Sequence, residues 1–526
     1  MCGILCVFGK WSTLRYGTLK HRGPDATRVL QLGRCTMEFS RLAINDLSED
    51  GMQPFVGTNN KSALVCNGEI FNHKDFSDSK NDCACLIPMI EKHGIMNASR
   101  ALLGEFAFCY TDGDRVLASR DPLGVRPLFY TRFDGEDGQP GIAFASEVKA
   151  LLQFGTRVEI FPPGHVYDSS VDTHGGLTPF ACWYPSYWDV TETTSTVTSD
   201  IKTCLDEAVL RRIQNTDRSL GFLLSGGLDS SLVVAIAKKY LPDQRLKTFS
   251  IGTSPDSPDC KAARVVAKYL DTDHTEIIFT IDEGLMVLEQ VITSLESYDT
   301  TTIRASTPMW LLAKWISKNT DCRVILSGEG SDELFAGYLY FHGAPSVEDL
   351  SKECGRRLKL IHQFDGLRAD RCMAAHGLEL RVPFLDRTVV RAGMTMDQGL
   401  KKSGGAAPVG ATGASNPEKR VLRELYKGLL PDEILWRQKN GMSDAVGYNW
   451  VDSVKKYTRD MITDDEFLAI RKRAHVNKPQ THEEAFYRQM FWELIGEQDH
   501  LISEIWRPRW TDVTDPSARQ LSVFSE

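Results

Sequence analysis

The chain has 526 residues, 42% of them hydrophobic and 25% charged, with a net charge of −9. That length suffices for two substantial cores, and the composition is that of folded rather than disordered protein. A negative balance without any basic block argues against nucleic-acid binding, and no apolar run approaches the roughly 18 residues of a membrane span. The opening Met1-Cys2-Gly3-Ile4-Leu5 lacks the basic-then-apolar layout of a signal peptide, so a cytoplasmic location is expected. Thirteen cysteines, an odd count with no Cys-x-x-Cys pair, point to buried free thiols rather than a disulfide or zinc framework.

Short apolar runs separated by turn residues predict strands at 4–8, 63–66, 106–110, 115–120, 128–130 and 142–145, with one helix over 84–93. This is the pattern of an α+β domain of layered antiparallel sheets. A Thr/Ser-rich stretch at 189–199 reads as a linker. Beyond it the rhythm becomes strand then helix: strands at 220–224, 247–251, 275–279 and 324–326, with helices at 230–240 and 261–270. Such alternation predicts an α/β domain with a parallel sheet, whose ligands gather at the C-terminal strand ends. The last third is helical in pattern, and the Gly/Ala-rich run at 403–415 reads as a loop. His274, Trp183 and Trp188 read as structural residues.

Cys2 has a chemical reading beyond that of a small buried side chain. Removal of Met1 would place its thiol beside a free α-amine of pKa about 7.7–8.0, able to accept a proton near neutrality. Four further strings follow in order: His21-Arg22-Gly23-Pro24-Asp25, Ser40-Arg41-Leu42-Ala43-Ile44, Asn67-Gly68-Glu69-Ile70-Phe71-Asn72 and Asp121-Pro122-Leu123-Gly124. With Cys2 they resemble the class II glutamine amidotransferases, an N-terminal-nucleophile family. The resemblance implies such a domain over residues 2–188. In it Cys2 would form a glutamyl thioester, and Asn67 with the amide of Gly68 would bind the oxyanion. Arg41 would hold the glutamine carboxylate, and Glu69 and Asp82 its ammonium. Leu42, Ala43, Ile44 and Asn45 would complete the pocket.

Ser225-Gly226-Gly227-Leu228-Asp229-Ser230-Ser231 lies between a predicted strand and a predicted helix. Two glycines permit a tight turn whose amides and hydroxyls can surround an anion at a helix N-terminus. No Gly-Lys-Ser/Thr follows, so it is not a Walker A loop. The string resembles the pyrophosphate loop of the ATP-pyrophosphatase family, which cleaves ATP between its α- and β-phosphates to adenylate a carboxylate.

Tyr298–Ser306, Leu326–Glu333, Leu380–Asp386 and Trp436–Lys439 narrow the resemblance to the glutamine-hydrolysing asparagine synthetases, over nearly the whole chain as far as Asp515-Pro516-Ser517. This implies a synthetase domain over 200–526. Leu224, Ser225, Gly226, Gly227, Asp229, Ser230, Ile251, Ser327, Gly328 and Lys439 would bind ATP, and Asp229 with Asp332 would hold Mg²⁺. Glu329 would act catalytically at the adenylate, and Thr302, Arg304 and Arg381 would receive aspartate. The expected partners are therefore small molecules, L-glutamine, L-aspartate and ATP, with a homodimer as the oligomer considered. Three departures stand out: a short segment between Cys2 and His21, Thr300 where valine is commoner, and the 403–415 run. Two alternatives stand beside this expectation, a β-lactam-synthetase-like enzyme activating another carboxylate and a non-catalytic regulatory paralogue. Retention of Cys2 and its glutamine pocket counts against the first, and retention of Cys2, Asp229 and Glu329 against the second.

Overall fold

The computed structural model describes residues 1–171, 176–180, 198–402, 418–439, 441–447 and 449–515. The expected loop at 403–415, most of the 189–199 linker, Pro516-Ser517, Trp183 and Trp188 lie outside them.

The first part of the chain forms two six-stranded antiparallel sheets. One runs β10(Glu159–Ile160), β8(Phe129–Asp134), β9(Pro140–Ala145), β1(Gly3–Phe8), β3(Cys35–Arg41), β2(Ala26–Leu32). The other runs β12(Leu177–Pro179), β11(His165–Asp168), β7(Val116–Arg120), β6(Gly104–Thr111), β5(Ala63–Ile70), β4(Phe55–Val56). Alternate residues of these strands build separate layers. Ile4, Cys6 and Phe8 pack with Cys35, Val65, Ala107 and Cys109 in one core, while Leu5 and Val7 of the same strand join another. Both faces of β1 are therefore buried, which fixes the register that leaves Cys2 at its open end.

Two features here escape sequence reasoning. The β2–β3 hairpin was unpredicted, because Ala26–Leu32 is half exposed and mixes polar with apolar residues. The helix expected over 84–93 begins at Leu86 and extends to Ala101, interrupted at Gly94, whose φ of 73° suits glycine.

The second part holds a five-stranded parallel sheet ordered β15(Asp273–Ile278), β14(Lys247–Gly252), β13(Leu220–Leu223), β16(Val324–Leu326), β17(Glu379–Arg381). Helices Leu228–Tyr240 and Pro258–Leu270 connect its first strands, and helix Thr300–Asn319 precedes β16. Pro308 lies inside that last helix and cannot donate to the carbonyl of Arg304. The indole Nε1 of Trp450 donates to that carbonyl instead, at 3.0 Å, so the buried acceptor is satisfied. His274 has the structural role expected of it, with ring nitrogens 2.9 Å from Thr248 Oγ1 and 3.2 Å from Ser250 Oγ. Burial lowers its pKa to about 4. Among the described residues no helix is long and apolar enough to cross a membrane.

Candidate active sites

At the open end of β1 the Cys2 thiol lies against the backbone of Leu42, whose amide donates to Sγ at 3.4 Å. Arg22 Nε donates to the Cys2 carbonyl at 3.0 Å, and its guanidinium is paired with Glu147 and Asp370, so Arg22 of the His21–Asp25 string holds the Cys2 backbone. Met1 is fully buried, and its amine donates to the Leu378 carbonyl at 3.4 Å. Burial lowers that amine to about 6 and pushes the Cys2 thiol up to about 11. With Met1 in place, then, the thiol is protonated at neutral pH and has no α-amine of its own to serve as base.

The other residues expected around glutamine converge here. Asn67 and Gly68 stand on β5 opposite Ala107 and Phe106 of β6. A Cβ on Gly68 would sit 2.5 Å from the Glu105 carbonyl oxygen, so the close strand approach requires glycine. The Asn67 side chain is fully buried, yet neither its Oδ1 nor its Nδ2 has a hydrogen-bond partner among the described residues. An orphaned buried amide costs stability unless a ligand or water satisfies it. Arg41 is buried and donates to the carbonyls of Ser48, at 2.8 Å, and Asp46, which lays its guanidinium along the loop after Ile44. Ala43 is tied to Asp25, its amide donating to Oδ2 at 2.8 Å. Asn45 donates to Glu69 Oε2 at 2.7 Å and to Asp82 Oδ1 at 3.3 Å, joining the two carboxylates expected to receive an ammonium. Burial, reinforced by neighbouring Glu379 and Asp82, raises Glu69 well above the usual carboxylate range, and burial also raises Asp82.

In the second part, the C-terminal ends of β13, β14 and β16 open onto a cavity lined by Leu224, Ser225, Gly227, Asp229, Ser230, Ile251, Ser327, Gly328, Glu329, Asp332 and Lys439. Gly226 is set back from it: its φ is +68°, and a Cβ there would strike the backbone of Ala262 at 2.3 Å. Gly328 allows the Ser327–Gly330 turn to touch the start of helix Leu228–Tyr240, where a Cβ would lie 2.7 Å from that of Asp229.

Asp229 and Asp332 are bridged by two lysines. Lys419 Nζ is 2.6 Å from Asp229 Oδ2 and 2.6 Å from Asp332 Oδ1, while Lys439 Nζ is 2.7 Å from Asp332 Oδ2 and 3.9 Å from Asp229 Oδ2. Burial pushes Asp332 up, but the two ammonium groups outweigh it and bring its pKa down to about 2. Among the described residues no group of three or more His, Cys, Asp or Glu side chains converges as a metal cage. Two carboxylates facing a cavity nonetheless suit Mg²⁺, which is commonly held by one or two carboxylates with phosphate oxygens and water.

Glu329 also lines the cavity. Arg368 donates to its Oε2 at 2.6 Å and is paired with Asp365 at 2.6 Å. Burial raises the Glu329 carboxyl, with Arg368 opposing. Lys419, Arg368 and Asp365 carried no role in the sequence reading. Arg368 and Asp365 stand on helix Asp365–Ala374, every residue of which is buried although four are ionic.

The three residues expected at the aspartate end are not brought to this cavity. Thr301, Ala305, Met309 and Leu312 face it along one side of their helix. Thr302 instead donates to the helix cap Asp299 at 2.7 Å, and Arg304 is paired with Glu483 at 2.5 Å and Asp515 at 3.1 Å. Arg381 lies 3.0 Å from Glu69, on the glutamine side of the molecule.

The Asparagine synthase family model matches residues 200–355 and 344–514, and the Glutamine amidotransferase domain model matches residues 1–163. The asparagine synthetase (glutamine-hydrolysing) of Bos taurus is 38% identical, over 100% of this chain and 99% of its own length. The chain belongs to the glutamine-hydrolysing asparagine synthetases. The synthetase of that name from Mus musculus is 39% identical, over 100% of this chain and 99% of its own. Among solved structures, the allosteric regulatory enzyme of purine biosynthesis aligns over 47% of this chain and 64% of its own, at 18% identity and a TM-score of 0.30. Cys2 falls within the residues matched by the glutamine amidotransferase domain model and Glu329 within those matched by the asparagine synthase model.

Proposed function

We propose that the chain makes asparagine: ATP, L-aspartate, L-glutamine and water give L-asparagine, L-glutamate, AMP and pyrophosphate. The observation that carries this reading is the cavity lined by Asp229, Asp332, Lys439 and Glu329, with buried Lys419 pairing both aspartates, in the same chain as the Cys2 pocket.

In the first domain, placed at 2–188, the Cys2 thiol attacks the glutamine side-chain amide once Met1 is gone. The freed α-amine takes the thiol proton and returns it to the departing ammonia. Asn67 Nδ2 and the Gly68 amide stabilise the oxyanion, Arg41 holds the carboxylate, and Glu69 and Asp82 hold the ammonium. Water then cleaves the thioester to glutamate.

In the second domain, placed at 200–526, the β-carboxylate of aspartate attacks the α-phosphorus of ATP, and the bond to the bridging oxygen of pyrophosphate breaks. Lys419 and Lys439 offset the charge gathering on the leaving group. Mg²⁺, held by Asp229 and Asp332, would supply further charge neutralisation there. Ammonia attacks the acyl carbon of the β-aspartyl-AMP, Glu329 accepts a proton, and AMP leaves. The twelve described cysteines are all unpaired, which supports a reducing, cytoplasmic location.

Two measurements test this reading. Pyrophosphate release by the purified protein should require aspartate, and aspartate-independent release would contradict it. Lys439→Met should lower kcat/KM for ATP by about 10- to 100-fold, the loss of a charge-assisted contact, while glutamate release from glutamine stays within twofold of the wild type, about the size of surface-level effects.

A further inference from the structure

The amino end of the glutamine pocket is built partly by the second domain. Glu69 Oε2 has three partners: the Asn45 amide at 2.7 Å, the Asn215 amide at 2.7 Å and the Arg381 guanidinium at 3.0 Å. Asn215 directly follows helix Thr198–Gln214, and Arg381 closes β17, so two of the three come from beyond the first domain. Among the described residues Oε1 of the same carboxylate has no donor. The contact belongs to a longer seam. The Asp217 amide donates to the Ile44 carbonyl at 3.0 Å, the Asp46 amide to Asp217 Oδ2 at 2.9 Å, and Arg218 Nε to the Ala43 carbonyl at 2.7 Å.

A glutamate side chain beside two other buried carboxylates, Asp82 and Glu379, would turn away from them unless donors fixed its plane. Two amide hydrogen bonds and one ion pair gathered on a single oxygen do this and leave the other for a cation. We propose that Asn215 and Arg381 are positioning residues of the glutamine site, holding Glu69 so that its second oxygen is kept for the α-ammonium of the substrate. This rests on the reading of the Cys2 pocket as the glutamine site. It also makes that pocket incomplete without the segment that leads into β13 and the Ser225–Ser231 turn, so the two active sites share a structural part.

Arg381 also pairs with Glu379 at 2.8 Å and donates to the Arg212 carbonyl at 2.6 Å, so replacing it disturbs the domain junction. Asn215 makes a single side-chain hydrogen bond among the described residues, which makes it the cleaner probe. Asn215→Ala removes the donor; Asn215→Asp keeps the shape but sets a carboxylate against Glu69. The glutamine KM should rise about tenfold or more for alanine, the scale of one hydrogen bond to a charged group, and further for aspartate. Asparagine formation from ammonium should be unchanged in both. A packing role would give the reverse order, with aspartate harmless, and that result overturns the inference. So does an unchanged glutamine KM in both variants, or equal loss of the glutamine- and ammonium-dependent activities. A wild-type protein without saturable glutamine hydrolysis would instead refute the reading of the pocket itself.

Discussion

Replacing Cys2 with alanine is expected to abolish asparagine formation from glutamine and to leave formation from ammonium intact. The thiol lies against Leu42 and is not among the residues lining the cavity that holds Asp229 and Glu329. Loss of a nucleophile that works as a unit with its oxyanion donors costs more than about 10⁴ in rate, so the residual glutaminase should fall to background. Alanine is close to cysteine in size, and the side chain is only partly buried, so the fold is expected to survive. Protein that retains Met1, identified by intact mass, should behave like the variant, because the buried terminal amine then belongs to Met1. Equal loss of both activities in a folded Cys2→Ala protein would contradict the division of labour.

Glu329→Gln should give the complementary result: glutamine hydrolysis persists while asparagine formation from either nitrogen donor falls by about 10²–10⁴, the usual worth of general acid–base catalysis. A purely structural carboxylate in this turn would cap the helix that follows. That helix, Ser331–Leu334, has Gly330 at its N-cap with φ +92° and no side-chain cap, while the Glu329 side chain reaches Arg368 instead. Removing the charge leaves Arg368 paired with Asp365 at 2.6 Å, so no buried cation is stranded and the protein should remain folded. Near-normal asparagine synthesis by this variant would remove Glu329 from the chemistry.

The strings around Cys2, Asn67 and Ser225 could be read from sequence because each chemical requirement falls within a few residues. A turn needs its glycines within a few residues, and the roles given to Cys2 and Asn67 follow from short strings that resemble those of a known family. The same is true of the parallel sheet, whose strands 220–224 and 247–251 were found within one residue of β13 and β14. Lys419 was invisible because its partner Asp229 is 190 residues away and nothing beside it in the chain marks a site. Thr302 and Arg304 were placed by their string rather than by helical phase; a 3.6-residue period turns them off the face occupied by Thr301 and Ala305. Arg381 sits on a three-residue strand, too short to show alternation, and its pairing with Glu69 depends on how the two domains dock.

The central claim is that one chain passes nitrogen from glutamine to an adenylated aspartate. Its most direct test supplies amide-¹⁵N glutamine, aspartate and ATP to the purified protein without ammonium, and follows the products together. The account predicts asparagine labelled at its side-chain nitrogen, formed in equal amounts with AMP and pyrophosphate and abolished by omitting glutamine. Unlabelled asparagine, or ADP and phosphate in place of AMP and pyrophosphate, would contradict it.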